Sequence, residues 1–367
     1  MNGLEITALG VAFGRTEILS GVNLQMDAGE TVALVGSSGG GKTVLLRAIA
    51  GLEPTAVGCV RIGERDVTML APEARGMGMA FQNFALYPHL PAFENIASPL
   101  HARSVAAKDI ATRVRRVAAM LRIEHVLEHR PKELSNGQKQ RTALARALVS
   151  EPDVLLLDDP LRNVDAKLRY EMRLELPRLL KRAGAAAIYV TQDFREAMAL
   201  GDRVAVLLGG QLVQFATPDE VYTAPVSVAV ARLFGDPPMN LLPVLLAAEG
   251  EQVQVEAAGL AVRFRDVQGL IGTKALLGLR PEVVQVLGSQ TRGAAPAEVV
   301  AVTPLHERNV VLLRATGGVE VVASVAGHPP AAGERVWIRA AMSHALLFDA
   351  TTGRRVQAVP QAREIVA

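Results

Sequence analysis

Cysteine is nearly missing from this sequence. Cys59 stands alone among 367 residues, which excludes an internal disulfide framework and fits a reducing compartment. Aromatic residues make up 4% of the chain, too few for the stacking platforms on which single-stranded nucleic acids lie. No sign of charge dominates either: 39 Lys and Arg against 37 Asp and Glu leave a net charge of +2. Without a basic field, nucleic acid is not an expected partner. No window approaches the roughly 18 apolar residues that a membrane helix needs. Residues 1–5 also lack the basic start and apolar run of a secretory signal. The expectation is a protein soluble by itself, with any membrane role carried by partner subunits.

Half of the residues are hydrophobic, and the length suffices for two or three domains with cores of their own. The organising stretch is Gly36-Ser37-Ser38-Gly39-Gly40-Gly41-Lys42-Thr43, between the apolar run Thr31–Val35 and the helical pattern Val44–Ala50. Strand, glycine loop and helix in this order, with the spacing G-x-x-x-x-G-K-[ST], form a cradle for a nucleoside triphosphate. Small residues let backbone N–H groups curl around phosphates while a helix N-terminus faces them. Lys42 would neutralise the β- and γ-phosphates, and the Thr43 hydroxyl would ligate Mg²⁺.

Residues 4–35 read as short strands, with Asp27-Ala28-Gly29-Glu30 as a turn before the buried strand. A strand is expected over residues 78–82, ending on Gln82. From Phe84 to about Leu148 the pattern turns helical, with Ile110, Val114, Val117 and Leu121 on one stripe and arginines on the solvated face. Val154-Leu155-Leu156-Leu157-Asp158-Asp159 is apolar without alternation, as in a parallel strand buried on both faces, and it delivers two carboxylates at its C-terminal end. A helix over 166–182, a strand ending at Thr191, and two strands joined by Gly209-Gly210 complete a largely parallel α/β sheet. Beyond Gly235-Asp236-Pro237-Pro238 the chain breaks into short β runs with turn residues between them, an all-β module with the character of a small barrel.

The phosphate loop, Gln82, Leu134-Ser135-Asn136-Gly137-Gln138 and Leu155-Leu156-Leu157-Asp158-Asp159-Pro160 together resemble the ATPase subunits of ABC transporters, most of all the bacterial carbohydrate importers. Residues 234–241 and 279–282 are similar to that family's C-terminal TOBE-type domain. The resemblance implies a P-loop ABC cassette over 1–236 with a helical insertion at about 84–150, followed by an OB/TOBE-like barrel over 237–367. It implies ATP and Mg²⁺ as cofactors, bound by Phe13 against adenine, by Gly36, Ser37, Ser38, Gly39, Gly40, Gly41, Lys42, Thr43 and Val44 along the phosphates, and by Thr43, Gln82 and Asp158 at the metal. In a head-to-tail dimer, Ser135, Gly137 and Gln138 would reach the γ-phosphate bound to the other subunit. The implied partners are two transmembrane permease subunits, an extracytoplasmic solute-binding protein acting through them, and a second ATPase subunit. The implied place is the cytoplasmic face of the cell membrane, and the implied cargo a sugar, polyol or glycerol-like solute.

The sequence departs from the family pattern where hydrolysis is concerned. Asp159 stands where a glutamate acts as general base, its carboxylate drawn back by one methylene, and misplacement by about 1 Å can slow a reaction on the order of a hundredfold. Gln192 replaces a histidine and carries no proton or charge. Asn136 replaces a glycine, Val44 a hydroxyl residue, and Arg162 a small residue. The resemblance implies Asp159, Gln192 and Gln82 as catalytic residues; with Asp159 and Gln192 altered beside intact binding residues, it favours a heterodimer in which this chain is the weaker half. A slow homodimer stands as the rival. A non-transport ABC protein acting on ribosomes or DNA would need a second cassette or a long coiled-coil insertion, and this chain has neither. Regulator binding by the β module is compatible with transport.

Overall fold

The computed structural model describes residues 2–249, 252–265, 272–305 and 307–361; the final stretch of the expected β module, 362–367, lies outside the described residues. The chain forms two compact units, 1–218 and 219–367. The first holds strands β1 (Leu4–Phe13), β2 (Thr16–Met26), β3 (Thr31–Val35), β4 (Val57–Ile62), β5 (Arg65–Asp66), β6 (Met77–Ala80), β7 (Val154–Asp158), β8 (Ala186–Val190), β9 (Arg203–Leu208) and β10 (Gln211–Ala216). Its helices are α1 (Lys42–Ala50), α2 (Ala92–Ala102), α3 (Ala107–Met120), α4 (Asn136–Leu148), α5 (Ala166–Ala183) and α6 (Phe194–Leu200).

The central sheet runs β10-β9-β3-β8-β7-β6 and is parallel except for the β9–β10 hairpin. Strands β3, β7 and β8 are buried along their whole length. Their apolar runs do not alternate because both faces are covered, yet the pleat still sorts them. Val154 and Leu156 of β7 with Ile188 and Val190 of β8 join one core, which contains α1 and the antiparallel sheet β2-β1-β4-β5. Leu155, Leu157 and Tyr189 join the other, with α2, α3, α4 and α5. Each fully buried leucine contributes about 1.5–3 kcal/mol of apolar burial, so the sheet is held from both sides.

The helical insertion starts at Ala92 rather than Phe84. Residues 81–91 form a loop in which Phe84 and Ala85 take left-handed backbone, φ 63° and 48°. The fully buried Asn95 fastens it, donating to the carbonyls of Tyr87, Leu90 and Pro91 and accepting from the Tyr87 N–H. Its stripe of Ile110, Val114, Val117 and Leu121 is buried as the spacing requires.

The second unit begins well before the composition changes near 236. Helices α7 (Pro218–Thr223) and α8 (Val228–Leu233) belong with the β module because Arg280, 5% exposed, donates to the carbonyls of Tyr222, Ala231 and Phe234 and lies 3.9 Å over the Tyr222 ring. Three antiparallel sheets follow, built on strands such as Lys274–Leu279, Leu260–Arg265 and Ala295–Leu305, and they share one apolar core.

Candidate active site

Loops from four parallel strands converge on one edge of the central sheet, its carboxyl end, where ligands of open α/β sheets bind. Leu34 and Asp158 both pair with Val190, so β3, β8 and β7 finish level with one another. β3 delivers the glycine loop, β7 the two aspartates, β8 Gln192 and β6 Gln82.

The glycine loop is tight where it leaves the strand. A Cβ on Gly36 would stand 2.1 Å from the Leu207 carbonyl oxygen, so no other residue fits. Gly41 enters α1 with φ 94°, a conformation that a side chain opposes. Ser37, Ser38, Gly39 and Thr43 are exposed along the open face of the loop, with Gly40 and Val44 half-buried. Lys42 is 6% exposed, and its Nζ donates to the Gly36 and Ser37 carbonyls at 2.8 Å each. Burial lowers its pKa, against the pull of the Asp159 and Asp158 charges.

The Thr43 hydroxyl donates to Asp158 Oδ1 at 3.0 Å. One hydroxyl and one carboxylate oxygen at that separation are hard donors that fit Mg²⁺, a cation usually held by few protein oxygens with phosphate and water completing the shell. Among the described residues no group of three or more His, Cys, Asp or Glu is arranged to hold a metal ion. Burial raises the Asp158 pKa, and the Thr43 hydroxyl offsets part of the rise.

Asp159 turns out of β7 in left-handed backbone, φ 45°, with its N–H donating to the Val190 carbonyl at 3.1 Å. Burial, and then the charge of Glu196, push its pKa up to about 6; Arg162 and Lys42 work against the rise. A buried carboxylate with a pKa of about 6 is suited to proton acceptance. Arg162 Nη1 stands 3.8 Å from Asp159 Oδ2.

Gln82 and Gln192 lie just beyond their strands rather than within them. β6 ends at Ala80 and Gln82 occupies the turn that follows, its backbone carbonyl accepting from Asn163 Nδ2 at 2.9 Å. β8 ends at Val190, and Gln192 is exposed in the bend before α6. Phe13 closes β1 at 46% exposure, open enough to offer a ring face.

Ser135 and Gln138 form a reciprocal cap at the start of α4. Ser135 Oγ accepts from the Gln138 N–H at 3.3 Å, and Gln138 Oε1 accepts from the Ser135 N–H at 2.9 Å. A Cβ on Gly137 would meet Leu168 at 2.2 Å. Among the described residues no hydrogen bond links this cap to the glycine loop of the same chain.

The sequence did not point to Glu196, which is 3% exposed and accepts from Tyr189 Oη at 2.9 Å and Thr191 Oγ1 at 2.8 Å. Thr191 Oγ1 in turn accepts from the Asp193 N–H at 3.0 Å, which fixes the bend that carries Gln192. Nor did it point to Asn163 or Arg146. The latter donates to the Phe84 and Ala85 carbonyls at 2.9 and 2.6 Å and so holds the loop after Gln82. Polar residues within four positions of a motif were the available signal for the first two.

The fold and this edge define a phosphate-loop nucleotide-binding ATPase class: a glycine loop between strand and helix, a buried lysine, a hydroxyl hydrogen-bonded to a carboxylate and a second carboxylate beside it. Comparison with known proteins narrows the class. Residues 19–162 match the ABC transporter family, 235–284 the MalK OB fold domain and 277–348 the TOBE domain. The sn-glycerol-3-phosphate import ATP-binding protein UgpC of Cupriavidus pinatubonensis is 40% identical over 358 residues, covering 94% of this chain and 96% of its own. That of Salmonella typhi is 41% identical, covering 97% of this chain and all of the relative. A dimeric ATP-binding cassette, MJ0796, in a post-hydrolysis state bound to ADP and Pi, has a TM-score of 0.53 and 29% identity over 59% of this chain and 98% of its own. The chain belongs to the ABC transporter family, as an ATP-binding subunit with ATPase activity.

Proposed function

We propose that this chain powers an importer of glycerol-3-phosphate or a chemically similar phosphorylated polyol or sugar, docked on the inner face of the cell membrane against two permease subunits. The observation that carries the reading is relatedness along nearly the whole chain, β module included, to subunits named for sn-glycerol-3-phosphate import. Among the described residues no helix is long and apolar enough to cross a membrane, so passage of the solute falls to other subunits. The residues divide the work as follows. Lys42 and the glycine loop hold the triphosphate, Thr43 and Asp158 hold Mg²⁺, Asp159 orients and deprotonates the attacking water, and Gln82 and Gln192 frame the γ-phosphate. The bound metal supplies charge neutralisation on the phosphates. Ser135, Gly137 and Gln138 complete the site of the neighbouring ATPase subunit.

A second reading concerns the oligomer. Asp159 and Gln192 in place of a longer base and a histidine favour pairing with a different, faster ATPase. Tagging this chain and weighing the intact complex by native mass spectrometry tests both readings. Two permease subunits with one copy each of two ATPases support the pair; two copies of this chain reject it. Hydrolysis by the reconstituted complex that rises with a glycerol-3-phosphate-loaded binding protein, and not with a neutral disaccharide, supports the solute class, and the reverse response overturns it.

A further inference from the structure

We propose that Arg162 stabilises the charge of the transferring phosphoryl group at its own chain's nucleotide site, an arginine supplied in cis where Gln192 brings no charge. The inference rests on Asp158 and Asp159 being the metal-holding and water-orienting carboxylates.

The loop from Asp159 to Asp165 is fastened along its backbone, which places the Cα of Arg162 beside Asp159. The Arg162 N–H donates to the Asp159 carbonyl at 3.2 Å and the Val164 N–H to the Leu161 carbonyl at 3.3 Å. Arg169 donates to the Leu161 carbonyl at 3.2 Å, the Val164 carbonyl at 3.0 Å and the Arg162 carbonyl at 3.4 Å. Asn163 ties the loop to the Gln82 carbonyl, and Asp165 Oδ1 caps α5 by accepting from the Leu168 N–H at 3.0 Å. Out of this rigid loop the guanidinium turns back to overhang Asp159, 3.8 Å away.

That separation is an ion pair without a hydrogen bond. The Arg162 side chain is 51% exposed against 11% for Asp159, and a pair so open to water is worth no more than about 1 kcal/mol. Among the described residues the guanidinium donates no hydrogen bond, so its fork of N–H groups is free. A phosphate oxyanion, which a guanidinium grips through two parallel N–H bonds, competes successfully with such a weak partner. The charges around it give the reason for a cation at this place. The pocket holds Lys42 against two carboxylates, and the transferring group spreads negative charge over its equatorial oxygens, where arginine is the recurrent stabiliser. Neutral Gln192 cannot fill that role.

The test uses the purified full-length chain with Arg162→Ala and Arg162→Lys, measuring kcat, ATP affinity and affinity for the transition-state mimic ADP–vanadate. Because an enclosed arginine of this kind is worth 10³–10⁵ in rate and Arg162 is half exposed, Arg162→Ala is expected to lower kcat by about ten- to a hundredfold. ATP affinity should change by less than about threefold, and ADP–vanadate binding should weaken by the same factor as kcat. Arg162→Lys, which keeps the charge and loses the fork, should recover part of both. An unchanged or faster kcat in Arg162→Ala overturns the proposal. So does a kcat loss matched by ATP affinity while vanadate binding persists. Lys42→Ala run alongside separates the causes: normal hydrolysis in that variant would refute the site itself, whereas a dead Lys42→Ala beside a fully active Arg162→Ala refutes only the role of Arg162. Thermal unfolding of both Arg162 variants at the wild-type midpoint excludes misfolding as the source of any loss.

Discussion

Asn240 and Arg280 in the β module are 8% and 5% exposed; Lys42, Asp158 and Asp159 in the cassette are 6%, 5% and 8% exposed. Burial does not separate these two groups, but their partners do. The Asn240 amide donates to the Leu279 and Val322 carbonyls and accepts from the Val322 N–H at 2.7 Å. Arg280 spends both terminal nitrogens on backbone carbonyls and its face on Tyr222, with Nε left over among the described residues. In the cassette Lys42 also donates to two carbonyls, those of Gly36 and Ser37, but it does so facing two carboxylates, and burial shifts all three charges toward their neutral forms. A polar group satisfied by its own backbone fixes the fold. Charges buried together and left electrostatically strained mark where a ligand is to come.

Four experiments press on that contrast. Lys42→Ala should reduce ATP hydrolysis by about a thousandfold or more if the lysine is the cation among the phosphates, as proposed, with a smaller fall in the unfolding midpoint, since the Gly36 and Ser37 carbonyls lose their donor; steady-state phosphate release and calorimetry read the two. Arg280→Ala should do the opposite. It leaves three buried carbonyls without their donor and should destabilise the second unit by about 3 kcal/mol, seen as an earlier calorimetric transition, while hydrolysis stays at the wild-type rate.

Asp159→Asn should raise stability. The folded state holds the Asp159 proton more tightly than the unfolded chain, because burial and Glu196 lift the pKa from 3.8 to about 6. The ionised carboxylate therefore weakens the fold fully above about pH 6, and the penalty fades as pH falls from there to the unfolded value of 3.8, below which it is gone. The variant should gain about 2 kcal/mol at pH 8, a few tenths at about pH 4 and nothing below about pH 3, measured by denaturant unfolding with a chelator and no nucleotide. The smallest effect is expected for Asp159→Glu with Gln192→His, which should speed hydrolysis by about tenfold; a wild-type rate in that double variant would remove the argument for a handicapped site.

The sequence made the cradle legible because its chemistry is local. The spacing from Gly36 to Thr43 requires strand, loop and helix, and the 3.0 Å contact of Thr43 with Asp158 follows once β7 is recognised as a buried parallel strand. What escaped depends on chains meeting in space. Asn163 reaches Gln82 across 81 positions and Arg146 reaches Ala85 across 61, separations at which periodicity is silent. The unit boundary escaped for the same reason: α7 and α8 read as a continuation of the cassette until Arg280 is found holding them. The insertion began late because Phe84 and Ala85 take left-handed backbone that no propensity assigns to such residues.

The left-handed turn at Asp159 has a further consequence. A short polar residue such as aspartate tolerates φ 45° better than most, which lose roughly 1–2 kcal/mol there. Exchange with glutamate at this position conserves charge but not backbone comfort. A glutamate here would gain reach toward the γ-phosphate at a backbone cost of roughly 1–2 kcal/mol, so reach and ease of the turn pull in opposite directions. The turn from Asp159 to Arg162 thus couples the length of the acid to the main chain, and a change of one asks for a change of the other.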